Sequence, residues 1–208
     1  VIIAEKFMRI VYHIIDFLFP PSPEEVRLRK LSPEKFFVAA AKASSPEFTF
    51  IRSVFSYKDP LAKELVWQIK YRKNKKAVTI AAHALFKSLN GPALLIPIPI
   101  SKKRRKERGY NQCELIIDEI MRLDAEGKFS KDYDLLIRSK HIEKQTHKSR
   151  NERLENTKNI FEAAKKENLN QKIIIIDDVS TTGSTLKEAR DVMLEAGYSD
   201  VSALTVGH

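Results

Sequence analysis

Cysteine is nearly absent from this chain of 208 residues, which contains a single one, Cys113. One cysteine can form neither an intrachain disulfide nor a four-cysteine zinc site. A chain of this length can bury a sizeable core without such links. We therefore expect one generous domain, with at most a small appendage, in a reducing and cytoplasmic compartment.

Long apolar runs are missing as well: none reaches the roughly 20 residues that a bilayer-crossing helix needs. The apolar start, Val1 to Phe19, is interrupted by charged residues and lacks a small-residue cleavage site, unlike a signal peptide. Its apolar residues recur at helical spacing and predict an amphipathic helix that ends at Pro20. Packing on its own domain is the commoner role of such a helix, and association with a membrane is the alternative.

Acidic residues are in the minority, since 27 of them face 37 basic residues and leave a formal net charge of +10. Such a field favours polyanionic partners, which include nucleic acid, nucleotides, diphosphates and anionic membrane surfaces. Charge does not choose among these partners, and many basic proteins are simply soluble basic proteins. The composition, 43% hydrophobic and 31% charged, is that of an ordinary globular protein.

The rhythm of the later segments predicts an α/β fold. Near-continuous runs of branched aliphatic residues are typical of strands buried on both faces, and strands separated by helices imply a parallel sheet. The apolar runs are 93–100, 133–137, 173–176 and 201–206, and the helical stretches between them are 111–123, 149–162 and 184–196. Ahead of them, 22–46 predicts a helix flanked by linkers, and 48–57 one or two short strands.

Two further helices are predicted before the first of those apolar runs. Asp59-Pro60 has the pattern of a helix start, and this helix ends in a basic tail from Lys70 to Lys76. Trp67 on this helix is expected in the core. The second helix covers 77–89 and is stopped by the glycine and proline that follow.

The segment from Ile173 to Thr185 carries the most specific chemical pattern in the chain. Four isoleucines predict a central strand, and Asp177 and Asp178 follow at its carboxyl end, where open α/β sheets bind ligands. A turn rich in hydroxyl groups then leads into a helix that begins near Leu186. Unpaired N–H groups at the start of a helix carry partial positive charge and bind phosphate.

The residues of this turn suit a phosphate site beside a ribose or metal site. Glycine lets the backbone approach an oxyanion closely, and hydroxyl groups donate to its oxygens, so the candidate phosphate-binding residues are Thr181, Thr182, Gly183, Ser184 and Thr185. Asp177 and Asp178 can accept hydrogen bonds from ribose hydroxyls or hold Mg²⁺, directly or through water. The alternative is a strand that ends in aspartate before a capped helix, because Asp and Thr are common caps.

This segment resembles the phosphoribosyl-diphosphate signature of type I phosphoribosyltransferases. The resemblance implies a five-stranded parallel sheet flanked by helices, a small hood, and Mg²⁺ as the cofactor. It makes Asp177 and Asp178 the candidate catalytic and metal-binding residues and assigns the 5-phosphate to Thr181–Thr185. Several members of that superfamily have an acid where Thr181 stands, and the acid assists chemistry at the base.

A second block, from Ile96 to Gln112, has two prolines followed by six basic residues among the seven from Lys102 to Arg108. The prolines predict that the end of this strand loops out. Alone, the basic run indicates a nucleic-acid patch or, more commonly, a solvated face. Together with the segment that follows, the block resembles the ComF-like competence proteins of the phosphoribosyltransferase superfamily; the further matching positions are Gln145, Arg150, Arg153, Asn156 and Phe161.

The ComF resemblance implies that the loop from Ser101 faces a pyrophosphate group, with Ser101, Lys102 and Arg108 as contacts. Arg150 and Arg153 lie on a segment that would close over the ligand, and a basic surface helix is the alternative. ComF-like proteins usually carry a zinc ribbon after the Phe-Pro-Pro stretch, whereas 20–25 contains no cysteine or histidine here. We therefore expect a helical segment over 1–46 and a phosphoribosyltransferase-like domain over 47–208.

Three functions fit these residues. The first is Mg²⁺-dependent phosphoribosyl transfer with loss of pyrophosphate, and the second is a non-catalytic sensor of phosphoribosyl diphosphate or a nucleotide. The third is an accessory protein that contacts single-stranded DNA through its basic field. The family resemblance favours a part in DNA uptake during transformation, with the uptake machinery as a partner. The oligomeric state is left open, a homodimer included.

Overall fold

The computed structural model describes residues 20–43, 48–139, 160–165 and 171–208. Its helices are α1 (Pro23–Lys30), α2 (Pro33–Ala39), α3 (Pro60–Arg72), α4 (Lys75–Phe86), α5 (Lys102–Arg108), α6 (Gln112–Leu123) and α7 (Ser184–Glu195). Its strands are β1 (Ile51–Phe55), β2 (Ala93–Pro97), β3 (Phe129–Lys131), β4 (Leu136–Arg138), β5 (Phe161–Ala163), β6 (Ile173–Val179) and β7 (Val201–Gly207). The predicted amphipathic helix before Pro20 and most of the predicted helix over 149–162 lie outside these residues.

Five of the strands form one parallel sheet in the order β1-β7-β6-β2-β3. Strand β6 lies in its middle, and its four isoleucines are fully buried because helices cover both faces of the sheet. The predicted α/β class, with a parallel sheet flanked by helices, is confirmed. Polar residues that follow β6 therefore lie at the centre of the sheet's carboxyl edge.

The prediction of a sheet strand over 133–137 is wrong. The edge strand of the sheet is β3, and the chain leaves the sheet at Asp132, whose carboxylate accepts a hydrogen bond from the backbone N–H of Asp134 (3.0 Å). The apolar residues that follow form β4 instead, which pairs antiparallel with β5 in a separate two-stranded sheet. Phe161 and Glu162, expected at the end of a helix, belong to β5.

The predicted single helix over 22–46 is in fact two short helices, because Leu31 and Ser32 are extended and Pro33 opens a new helix. Helix α2 contributes Phe36, which is fully buried and packs edge-on against Phe55 of β1 at 5.4 Å between ring centroids. These helices share a core with α3, α4 and α6. The domain boundary near residue 46 stays a prediction.

Helix α3 begins at Pro60, as predicted, because the Asp59 carboxylate accepts a hydrogen bond from the backbone N–H of Leu61 (2.8 Å). Its buried face does not include Trp67, which is 41% exposed, so the expectation that Trp67 is a core residue is wrong. The helix turns by about 100° per residue, and the buried neighbours Val66 and Gln68 leave Trp67 facing outward. None of the described helices is both long and apolar enough to span a bilayer.

Candidate functional site

Two neighbouring carboxylates occupy the carboxyl end of the central strand β6. Because successive side chains of a strand point to opposite faces, Asp177 and Asp178 have different surroundings. Asp177 lies beside Cys113 at the start of α6, with 3.7 Å between the sulfur and Oδ1. Asp178 lies on the side of α3, where the Nζ of Lys70 is 3.0 Å from its Oδ1.

The buried ion pair between Lys70 and Asp178 leaves one acceptor unused. The Asp178 side chain is only 5% exposed, and its second oxygen, Oδ2, is buried without a hydrogen-bond partner among the described residues. Burial acts to lower the pKa of Lys70, but the charge and the hydrogen bond of Asp178 outweigh it and raise that pKa. The lysine is therefore a permanent cation at this edge of the sheet.

Asp177 is in a setting that favours its neutral form. Burial is the main cause that raises its pKa well above the usual range, and the adjacent charge of Asp178 adds to it. Hydrogen bonds from the backbone N–H of Asp178 (2.7 Å) and the Cys113 thiol, together with the charge of Lys70, act in the opposite direction. A further positive charge beside these two carboxyl groups would favour the ionised form of Asp177.

Cys113 is fully buried, and burial raises the pKa of its thiol well above the ordinary value. A thiol held in its neutral form is a poor nucleophile. The interpretation of Cys113 as a buried hydrophobic residue is therefore confirmed.

The raised pKa of Asp177 predicts a pH dependence of stability. A carboxyl group whose folded-state pKa lies above its unfolded value stabilises the fold fully below about pH 4, and this contribution is lost as the pH rises through the folded value. We expect the free energy of unfolding to fall as the pH rises from about 4 to about 8, the pKa of folded Asp177. Urea denaturation without ligand measures this change. Asp177→Asn should flatten the profile, and an equally steep profile in that variant would contradict the assignment.

The turn between β6 and α7 presents hydroxyl groups to solvent. Thr181, Thr182, Ser184 and Thr185 are exposed, and the hydroxyls of Thr182 and Ser184 lie 2.9 Å apart. Helix α7 begins at Ser184, the first residue of the predicted helical stretch 184–196, and Gly183 at its N-cap supplies no side-chain cap. The backbone N–H of Ser184 donates to the Thr182 hydroxyl at 3.4 Å, and the N–H groups that follow in the first turn are open to an anion, as the sequence predicts for a phosphate site.

Gly183 is required by packing on the inner side of this turn. Its φ is +72°, and a Cβ atom there would lie 2.6 Å from a ring carbon of Phe48 and 2.9 Å from Cδ1 of Ile51. The sequence interpretation assigned this glycine to close approach of an oxyanion. The structure adds a second reason, because the position faces the residues around the start of β1, and the approach of an oxyanion stays a prediction.

The second predicted block reaches the same edge of the sheet but is not a loop throughout. Strand β2 ends at Pro97, and the side-chain amide of Asn111, a buried residue, donates to the carbonyl of Ile98 (3.0 Å). Ser101 accepts a hydrogen bond from the backbone N–H of Arg104 and so caps the short helix α5. The prediction that the segment from Ser101 forms a loop is therefore wrong, because a helix follows Ser101.

The remaining candidate cations occupy different places. Lys102 begins α5 and is exposed, whereas Arg108 ends it and donates to the side-chain oxygen of Gln112 (3.0 Å). Arg150 and Arg153 lie outside the described residues. Their contacts with pyrophosphate stay predictions.

Lys70 is the site residue that the sequence interpretation missed, because it was grouped with the basic tail of α3. Its position carried a signal, since it follows the buried Val66 by one helical turn and adjoins the buried Ile69. The end of α3 is also held in place: the Tyr110 hydroxyl donates to the carbonyl of Ile69 (2.7 Å) and accepts from the N–H of Lys73 (3.1 Å). These bonds fix α3 beside the second block.

Comparisons with known proteins identify named relatives of this chain. No protein-family model matches the chain. The chain is 35% identical to competence protein ComFC of Bacillus subtilis over 162 residues, which are 74% of this chain and 62% of that protein. In sequence it is similar to the ComF-like competence proteins. The chain is also 34% identical to competence protein F of Haemophilus influenzae, over 53% of this chain and 48% of that one.

A more distant relative of this ComF-like chain is the DNA utilization protein YhgH of Salmonella typhimurium, 27% identical over 75% of this chain and 70% of that one. The chain spans about half to three fifths of the lengths of the two competence proteins. Among solved structures it is similar to a hypoxanthine phosphoribosyltransferase of Staphylococcus aureus (TM-score 0.36, 14% identity, 69% of this chain and 62% of that one). It is also similar to a glutamine phosphoribosylpyrophosphate amidotransferase of B. subtilis (TM-score 0.42, 13% identity, 67% of this chain and 30% of that one).

Proposed function

We propose that this ComF-like chain binds phosphoribosyl diphosphate, or a nucleotide with the same phosphoribosyl group, where β6 passes into α7. The observation that carries the proposal is the buried Oδ2 of Asp178, which lacks a partner among the described residues beside a helix start that is open to an anion. An unpaired buried acceptor costs free energy that a ligand's donor would recover. Hydroxyl groups and a phosphate in one ligand satisfy both features.

In this proposal the phosphate lies against the first turn of α7. The N–H groups there and the hydroxyls of Thr181, Thr182, Ser184 and Thr185 donate to its oxygens. Asp178 accepts from a ribose hydroxyl, while its Oδ1 stays paired with Lys70. The exposure of the four hydroxyl side chains allows the phosphate contacts without movement of the core.

Asp177 and Asp178 would also hold Mg²⁺, and the residues present suit it. Mg²⁺ sites commonly combine one or two carboxylates with oxygens of the substrate and water, so the pair needs no third protein ligand. When bound, the ion would neutralise charge on the diphosphate. The partnerless oxygen of Asp178 and the raised pKa of Asp177 both favour an added cation here.

Binding is supported more strongly than transfer. Phosphoribosyl transfer breaks the bond from the anomeric carbon to pyrophosphate and forms one to an acceptor. Thr181 offers a neutral hydroxyl where an acid would assist the acceptor base. A sensor that binds the same ligand without turnover uses every contact proposed above, so pyrophosphate release with a panel of bases and amines separates the two.

The relatives' names support a role in DNA uptake for this chain. Those proteins are called competence proteins and DNA utilization proteins. In our proposal the phosphoribosyl ligand is bound by a protein that works in the handling of incoming DNA.

Calorimetry with phosphoribosyl diphosphate and Mg²⁺ tests the site. We expect saturable heat from the wild type, loss of heat on addition of a chelator, and affinity at least about tenfold weaker in Asp178→Asn, since one charge-assisted hydrogen bond is removed. Asp191→Asn, an exposed carboxylate on α7, is the matched control and should bind normally. The proposal would be contradicted if the wild type gave no heat, or if Asp177→Asn/Asp178→Asn bound phosphoribosyl diphosphate with full affinity.

A further inference from the structure

Helix α3 exposes two large aromatic side chains on the side away from the core. Trp67 and Tyr71 lie one helical turn apart, are 41% and 59% exposed, and have ring centroids 5.8 Å apart. Exposed aromatic side chains are costly in water and mark binding surfaces when they cluster. Their rings are tilted by 45° to each other and together present an apolar surface to solvent.

Cations surround these rings. The guanidinium carbon of Arg72 lies 5.3 Å from the ring centre of Trp67, and that of Arg108 lies 5.2 Å from the ring centre of Tyr71. The Nζ of Lys73 lies 5.2 Å from the ring centre of Tyr110. We call this surface the α3 platform; its members are Trp67, Tyr71, Arg72, Lys73, Arg108 and Tyr110.

The platform is held rigidly and continues into a basic helix. The hydrogen bonds of Tyr110 to Ile69 and Lys73 join the end of α3 to the chain that leaves α5. Helix α5 exposes the five basic side chains that precede Arg108. A polyanion that crosses the aromatic rings therefore meets further positive charge on α5.

We propose that the α3 platform binds single-stranded nucleic acid, with bases stacked on Trp67 and Tyr71 and phosphates held by Arg72, Lys73 and Arg108. Aromatic rings interleaved with cations are the chemistry that recognises unpaired bases along a phosphate backbone. A duplex hides the faces of its bases, so charge alone would attract it and the rings would add nothing. A solvated basic face, the common role of such charge, does not account for the two exposed rings.

The platform is separate from the phosphoribosyl site although both use α3. Lys70 reaches inward to Asp178, whereas the next residue, Tyr71, faces solvent. The proposal extends the suggested role in DNA handling, but it does not depend on phosphoribosyl binding. Either can fail while the other holds.

The platform contains the chain's single tryptophan, so the intrinsic fluorescence of Trp67 reports directly on stacking. We expect an oligothymidylate of about 15 nucleotides to quench it saturably, since a nucleic-acid site of one domain covers about 4–16 nucleotides. Anisotropy of the labelled oligonucleotide should show about tenfold weaker binding for Trp67→Ala and for Tyr71→Ala, and near-normal binding for Trp67→Phe. Inorganic polyphosphate should compete weakly and leave the fluorescence unchanged.

Two controls keep the result specific. Val38→Ala removes another exposed apolar side chain, on α2, and should bind the oligonucleotide normally. Trp67→Ala should keep the calorimetric response to phosphoribosyl diphosphate. Absence of quenching, equal affinity for duplex, or equal affinity in Trp67→Ala would overturn the proposal. The proposal would also be overturned if light scattering showed that the wild type is a dimer which Trp67→Ala converts to a monomer, and if neither protein bound the oligonucleotide.

Discussion

Replacement of Gly183 by alanine is expected to lower the free energy of unfolding by about 2–5 kcal/mol, the sum of left-handed backbone strain and overpacking. The strain arises because φ is +72°, and the overpacking arises because the new Cβ would lie 2.6 Å from the Phe48 ring. Urea denaturation followed by circular dichroism measures the effect. The variant should also lose affinity for phosphoribosyl diphosphate, because the strained residue is the N-cap of α7.

Gly127→Ala is the matched control for this prediction. Its φ is also positive, +64°, but nothing lies within 4 Å of the position that a Cβ would take. We expect a loss of about 1–2 kcal/mol there, from backbone strain alone. If Gly183→Ala were no more destabilising than Gly127→Ala, the contact with Phe48 would carry no energy and the packing argument would be wrong.

Loss of the Lys70 ammonium group is also expected to lower the free energy of unfolding. Lys70→Met leaves the Asp178 carboxylate buried without its cation, and removal of one partner from a buried ion pair costs about 3 kcal/mol or more. The second substitution Asp178→Asn should recover much of that loss, because an amide does not leave an unpaired charge in the buried site. Urea denaturation of the single and double variants at neutral pH measures both effects.

An exposed lysine of similar geometry provides the control for Lys70. Lys187 lies 2.6 Å from Asp191, and both side chains are about half exposed. Lys187→Met should cost less than about 1 kcal/mol, as exposed pairs do. Equal losses at positions 70 and 187, or no recovery in Lys70→Met/Asp178→Asn, would show that burial does not strengthen the first pair.

Most of the central sheet followed from the sequence because its strands are buried on both faces. The isoleucine run at 173–176 and the apolar run at 201–206 became β6 and β7 with small changes of boundary. The run at 133–137 is also mostly apolar, yet its last two residues became part of β4 in a separate sheet. Hydrophobicity predicts that such residues are buried, but not which other strand they pair with.

The candidate site shows the same division. Order along the chain placed Asp177, Asp178 and the hydroxyl-rich turn at the carboxyl edge of the sheet, and the structure has them there. The helical conformation of 102–108 was missed because its basic residues have no apolar periodicity to reveal it. A residue distant in sequence, such as Lys70, is brought to Asp178 only by the packing of α3 on the sheet.

The sequence by itself therefore determined the α/β class, the position of the hydroxyl-rich turn and the resemblance to the ComF-like competence proteins, because these depend on local pattern and on order along the chain. Tertiary structure alone decided that Lys70 neutralises Asp178, that Gly183 is packed against Phe48, and that Trp67 faces solvent beside Arg72. Each of these depends on which surfaces meet when the helices pack on the sheet. A pattern of residue types records burial and propensity, whereas contacts between distant residues are set by packing in three dimensions.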